Sequence, residues 1–201
     1  MANREYKPYP KHERVRSTHP EPSKSRFLYT TLFVRARLPS TLSRLSVMDQ
    51  MIKPGVGLGE ILLGSREASI RAMLGTPTSI RNVEHADGDS SRDWEYDSLM
   101  LSLVFSASDD YRLGTITTSS ISSVFAGENV VGMPESRLLQ CDFDGIGPPM
   151  LEDDFEECGK DYCWQSLNLS CWVLDGVVTS ATIIPLFDPS GNIPQWPNGT
   201  A

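Results

Sequence analysis

Apolar residues along this chain change their spacing in a fixed order, and the order is used twice. Ile70, Met73 and Leu74 fall on one face at helical spacing, behind Ser65 as a suitable N-cap and Glu67 in the first turn, where the helix dipole favours an acid. Gly75-Thr76-Pro77 stops that pattern. Trp94-Glu95-Tyr96 reads as a first strand and Asp97-Ser98 as a turn. Leu99, Leu101, Leu103 and Phe105 then alternate with Met100, Ser102 and Val104, the period of a half-buried strand. Ser108-Asp109-Asp110 turns the chain into a further strand from Leu113 to Thr118. The whole succession returns downstream. Pro134 and Glu135 open a second short helix, with Leu138 and Cys141 in the places of Ile70 and Met73. Tyr162-Cys163-Trp164, then Leu167, Leu169, Cys171 and Val173, repeat the strands, and Asp175-Gly176 is a hairpin signal before Val177 to Ile184.

The offset is constant. Gly64-Ser65-Arg66-Glu67 aligns with Gly132-Met133-Pro134-Glu135, and Ser98 to Ser102 aligns with Ser166 to Ser170, both shifted by 68 positions. One architectural unit used twice explains that agreement. The predicted class is α+β: two tandem units, each a short helix or helix pair followed by a three- or four-stranded antiparallel meander, together forming a curved double sheet. The predicted boundaries are an arm over 1–47, a first unit over 48–125, a second over 126–187 and a Pro/Gly-rich tail over 188–201 anchored by Trp196. The polar stretches Asn82 to Arg92 and Asp144 to Lys160 read as excursions between helix and meander.

Charge separates the arm from the rest. Residues 1–47 carry ten Lys/Arg against three Glu, a balance of +7, whereas the remainder carries 8 Lys/Arg and 23 Asp/Glu, a balance of −15. The arm's Pro, Ser and charge give no period before Phe27, a composition that does not offset chain entropy, so it is expected to be disordered. Its abrupt break from the rest also suggests a natural start at Met48 or Met51. An acidic body repels nucleic acid and attracts basic surfaces. No apolar run is long enough to span a membrane, and Phe27 to Val34, followed by Arg35 and Arg37, does not read as a signal peptide. A cytoplasmic protein is expected.

The Gly-rich lead, the short helix ending Leu74-Gly75-Thr76-Pro77, the aromatic Trp94-x-Tyr96 strand and the Leu101-x-Leu103-x-Phe105 strand resemble the β-lactamase-inhibitory-protein-like fold. Its single-unit relative is the SmpA/OmlA outer-membrane assembly lipoprotein. The resemblance covers roughly residues 52–187, and implies a sheet used for binding proteins.

Candidate chemistry is sparse. Gly55, Gly57, Gly59 and Gly64 lack the spacing of a phosphate loop. A Ser-His-Asp or Cys-His site outside the arm would need His85, which lies in a polar stretch and reads as a solvated loop histidine. Cys158 and Cys163 do not have zinc-knuckle spacing, and Glu152 to Glu157 lacks the spacing of a calcium loop. No metal, cofactor or catalytic residue is therefore assigned. Cys171 falls on a core position; a disulfide from Cys163 to Cys158 or Cys141 is an option only in an oxidising compartment. What stands out is a surface: Asp153, Asp154, Glu156 and Glu157 as an acidic patch, and Trp172 on the strand face opposite Leu169, with Trp94, Tyr96 and Trp164 as further aromatic candidates. These features predict a non-enzymatic inhibitor or immunity-type protein that occupies the basic surface of another protein, such as a secreted bacterial toxin or an enzyme. The alternatives are an envelope-assembly module on the same fold and, last, a hydrolase using the carboxylates of 152–157.

Overall fold

The computed structural model describes residues 50–197 except Asp87, Asp144 and Asn192. The predicted arm over 1–47 therefore lies outside the described residues, as does the end of the tail.

The described residues begin with a small antiparallel sheet of β1 (Ile52–Lys53), β2 (Gly57–Leu58) and β3 (Ile61–Leu62). Helix α1 (Glu67–Leu74) follows, then a four-stranded meander of β4 (Ser79–Glu84), β5 (Ser90–Tyr96), β6 (Leu101–Ser106) and β7 (Arg112–Thr118). The hairpin of β8 (Val124–Phe125) and β9 (Glu128–Asn129) leads to α2 (Glu135–Leu138) and a second meander. Its strands are β10 (Met150–Asp154), β11 (Lys160–Trp164), β12 (Leu169–Leu174) and β13 (Val177–Ile183). A last hairpin pairs β14 (Leu186–Phe187) with β15 (Pro194–Gln195), so part of the tail read as coil is strand. Trp196 packs against the core behind it.

The α+β expectation is overturned. The chain is mostly β: its two described helices have eight and four residues, and both meanders join into one antiparallel sheet of eight strands. Strands were hidden in the polar excursions. Segments 79–84 and 150–154 became β4 and β10, the two edges of the sheet, and an edge strand this exposed carries no apolar alternation to announce it. The helices are also shorter than a full amphipathic helix. Ser65 does not cap α1; Arg66 takes the cap position in extended backbone, with no side-chain cap bond. The carbonyl of Ser65 instead accepts from the amide of Leu113, and the amide of Gly64 donates to the carbonyl of Leu113. The helix entry is thus clamped to β7, and Met73 stays exposed while Ile70 and Leu74 are buried.

The 68-residue offset recurs in the backbone. Helices α1 and α2 begin at Glu67 and Glu135, β6 and β12 begin at Leu101 and Leu169, and β5 and β11 end at Tyr96 and Trp164. The left-handed residues Met100 and Asn168 (φ 52° and 48°) precede equivalent strands, and each meander has its bulge at the same place, after Val104 and after Trp172. The bond between Gly132 and Val178 repeats that between Gly64 and Leu113. The leading hairpin β2–β3 also recurs as β8–β9. The strand order β10-β11-β12-β13-β7-β6-β5-β4 reads as one meander followed by the other reversed. At the join, Thr182 opposes Thr117, with Ala181 against Thr118 and Ile183 against Ile116. The two threonine hydroxyls are 3.0 Å apart, which places a pseudo-twofold axis between them. An axis at this point explains why the sheet is continuous: each unit offers its last strand to its own counterpart.

One core lies on the helix-bearing side of the sheet. It unites Ile70 and Leu138 from the helices with Trp94, Leu103, Phe105, Ile116, Leu169, Cys171 and Ile183 from the strands. An ion pair ties each helix to its meander: Arg92 Nη1 donates to Glu67 Oε1 at 2.9 Å, and Lys160 Nζ donates to Glu135 Oε1 at 2.8 Å, positions again 68 apart. Glu135 also accepts from the Tyr162 hydroxyl at 2.6 Å. Hydrogen bonds from Lys160 and Tyr162, with the nearby Lys160 charge, hold the Glu135 carboxyl below its ordinary range despite partial burial. Its stabilising contribution is therefore complete above the unfolded carboxyl pKa and is lost as pH falls through the lower folded value. Glu135→Gln is expected to cost about 1 kcal/mol at neutral pH, because the pair is partly solvated, and to cost progressively less in acid. Chemical denaturation at pH 7 and across the acid limb measures this; an equal loss at every pH contradicts it.

Candidate functional site

The sheet face opposite the core is polar at its centre. Ser102, Thr117, Thr182 and Ser170 stand side by side on four neighbouring strands, and Glu95 beyond Ser102 accepts its hydroxyl at 3.1 Å. Trp172 interrupts that surface. On β12 it lies between Asp161 of β11 and Ser180 of β13, half-buried, in the place that Val104 holds in the first meander.

A tight loop builds the surroundings of Trp172. After β10, the amide of Glu156 donates to Asp154 Oδ1 at 2.9 Å, the amide of Cys158 to the carbonyl of Phe155 at 3.0 Å, and the amide of Phe155 to the carbonyl of Gly159 at 2.9 Å. These bonds hold Glu156 in the left-handed region (φ 54°). They also set the Phe155 ring 5.5 Å from the Trp172 ring, tilted by 35°. Gly159 is required here: its φ is 117°, and a Cβ would come 2.7 Å from the Val173 carbonyl oxygen and 2.8 Å from Trp172 Nε1. The indole rests on bare backbone. Phe155 is 42% exposed, and Asp154, Glu156 and Glu157 are exposed around it, with Asp153 half-buried and cross-strand from Asp161. Glu156 and Glu157 also line a shallow depression of about 230 Å³ that reaches Lys160, Asp175 and Glu135.

The fold thus brings together Asp153, Asp154, Glu156, Glu157 and Trp172, and leaves the other three aromatic candidates elsewhere. Trp94, Tyr96 and Trp164 are 1%, 3% and 3% exposed, on the core side of β5 and β11. Tyr96 donates its hydroxyl to the Gly75 carbonyl at 3.1 Å, and Trp164 Nε1 donates to the Gly147 carbonyl at 2.9 Å. Trp94 stacks with Phe105 at 4.8 Å beneath the Arg71 guanidinium at 4.9 Å, its indole N–H buried without an acceptor. None of the three reaches the surface. Sequence reasoning missed Phe155 and Asp161. Alternation shows Asp161 to be on the same face as Trp172 once strand β11 is extended back to Lys160, whereas Phe155 gave no signal, since its position depends on the loop.

His85 is half-buried and bonded rather than freely solvated. Its Nε2 is 3.2 Å from Ser91 Oγ, and that hydroxyl donates to Asp93 Oδ1 at 2.8 Å. With the serine proton committed to Asp93, Nε2 must be the donor, so the histidine does not stand as a base toward Ser91. Nearby, hydrogen bonds from Ser106, Ser90 and Ser108 outweigh burial and lower the Asp89 carboxyl, which pins the β4–β5 turn to the end of β6. Among the described residues no three His, Cys, Asp or Glu side chains are grouped to hold a metal ion.

Cys141, Cys158, Cys163 and Cys171 are all free thiols, with Cys171 fully buried in the core. Burial, and then the charges of Glu152 and Asp161 with a hydrogen bond that the thiol donates to Glu152, pushes the Cys163 thiol up to about 12. At pH 8 its thiolate is only about one part in ten thousand. Iodoacetamide is therefore expected to modify exposed Cys158 in the native protein and Cys163 only after unfolding, as peptide mass mapping reads directly; equal native labelling of both contradicts this.

No helix among the described residues is long and apolar enough to cross a membrane. No protein-family model, curated protein or solved structure matches the chain.

Proposed function

We propose that this chain is a non-enzymatic protein-binding module of the inhibitor or immunity type, which neutralises a partner with a basic surface through the corner around Trp172. The observation that carries the reading is one half-buried tryptophan, backed by Gly159 and flanked by exposed Phe155, among the carboxylates of Asp153, Asp154, Glu156, Glu157 and Asp161. An aromatic pair gives a partner a desolvated anchor, and the acids around it select a cationic rim. The excess of acid after residue 47 extends the same field over the body and disfavours nucleic acid. The resemblance to β-lactamase-inhibitory proteins adds a precedent for an open sheet face as a docking surface. Free thiols suit a cytoplasmic protein.

The test is affinity capture with the full chain at low salt. A stoichiometric basic partner, released by moderate salt and not captured by Trp172→Ala, is the expected result. Capture unaffected by Trp172→Ala would place the contact elsewhere.

A further inference from the structure

We propose that the depression beside Lys160 takes a tyrosine-like aromatic side chain of the partner, stacked on the Lys160 ammonium. This deepens the protein-binding reading and rests on it. The first meander carries the same arrangement already filled by a residue of its own, Tyr111.

There the Tyr111 ring lies over the Arg92 guanidinium, with its centroid 3.9 Å from the central carbon, while Arg92 donates to Glu67. The Tyr111 hydroxyl is 3.5 Å from Ser90 Oγ. Tyr111 holds a left-handed backbone (φ 51°), unusual for an aromatic residue, and its amide donates to the Ser106 carbonyl at 2.8 Å.

The second meander keeps the frame and lacks the ring. Lys160 stands in the place of Arg92 and Glu135 in that of Glu67; Lys160 opposes Val173 as Arg92 opposes Phe105. Arg112 bridges Arg66 just as Val177 bridges Pro134, so the residues before them, Tyr111 and Gly176, correspond. Gly176 is also left-handed (φ 74°), and a Cβ placed on it would meet no atom within 4 Å. The space is the depression of about 230 Å³ lined by Glu135, Lys160, Val173 and Leu174 beside Gly176. Among the described residues no ring lies over Lys160.

An aromatic side chain matches each part of this lining. Its face suits the ammonium and its body the aliphatic stem of Lys160 with Val173 and Leu174, while a phenol hydroxyl can donate to the carboxylates of Glu156, Glu157 or Asp175 at the rim. A cationic side chain would meet the charge of Lys160, and an aliphatic one would leave the ammonium unstacked. Gly159 lines the depression and also backs Trp172, so the two anchors adjoin and one partner surface reaches both.

The probes are a blocked Lys-Tyr-Lys peptide and its twin with cyclohexylalanine for tyrosine, which keeps charge and bulk and removes the π face, each titrated into the full chain by NMR. The expected result is amide shifts confined to 156–160 and 173–176, with upfield movement of the Lys160 side-chain protons, and binding of the twin about fivefold weaker. Gly176→Tyr, which places a ring where Tyr111 has its own, should weaken the peptide about tenfold or more and shift the Lys160 protons without any peptide; Gly176→Ala, equally strained at the backbone, should bind as the parent does. Equal binding of both peptides, shifts elsewhere, or full binding by Gly176→Tyr overturns the proposal. If the peptide behaves as expected but Gly176→Tyr holds the captured partner as tightly as the parent, the depression serves another ligand: the proposal fails and protein binding stands. If no basic partner is captured at all, the protein-binding reading falls and takes the proposal with it.

Discussion

Trp164→Ala is expected to cost about 3–5 kcal/mol, whereas Trp172→Ala should move stability by no more than about 1 kcal/mol. The two residues lie on opposite sides of adjacent strands. Trp164 is buried, its ring centroid 5.7 Å from Phe125 and 5.6 Å from Phe143, and its indole N–H donates to the Gly147 carbonyl. Truncation empties a site that those aromatic rings cannot close and leaves that carbonyl without its donor. Trp172 already meets solvent, and its main covering group, Phe155, sits on a short loop. For a folded region of this size the first change should lower the melting temperature by roughly 10 °C and the second by a few degrees. Thermal unfolding of both variants checks the assignment of faces. Equal losses would mean that Trp172 belongs to the core.

Reversing Asp153, Glu156 and Glu157 to lysine is expected to slow association with the captured partner by roughly ten- to a hundredfold at low salt and to flatten the salt dependence. Asp154 is left intact, because its Oδ1 accepts the amide of Glu156 and holds the loop. Long-range attraction acts on the encounter, so the change belongs in the association rate. Trp172→Ala should act on the other rate: loss of a desolvated anchor worth about 2 kcal/mol makes dissociation roughly thirtyfold faster. Surface plasmon resonance over a salt series separates the two. An association rate insensitive to the triple reversal contradicts the electrostatic account.

Much of the repeat was legible because its signals are local. A glycine turn, a first-turn glutamate, an alternating strand and the Asp175-Gly176 hairpin signal are all properties of a few neighbouring positions. The misread class came from places where local signal is absent. Ser79–Glu84 and Met150–Asp154 are polar or exposed edge strands, held by pairing to β5 and β11 rather than by their own periodicity. The continuity of the sheet depends on Thr117 meeting Thr182, 65 positions apart, which no window of sequence shows. The site was half legible for the same reason. The face of Trp172 followed from alternation against Leu169 and Cys171, and the acids were plain in composition. The depth of Trp94, Tyr96 and Trp164 depended on the helices and loops that cover β5 and β11, and the contact of Phe155 with Trp172 depended on the turn closed by Gly159. The ion pairs Glu67–Arg92 and Glu135–Lys160 could have been found earlier, since both members obey the 68-residue offset.

Photocrosslinking from the aromatic corner tests the central claim most directly. A benzoylphenylalanine placed at Phe155 of the full chain, irradiated in the native host, should trap one basic protein at stoichiometric yield, and the same group at Ser79 on the opposite edge should not. Trapping from Ser79 alone, or equally from both positions, would contradict the account.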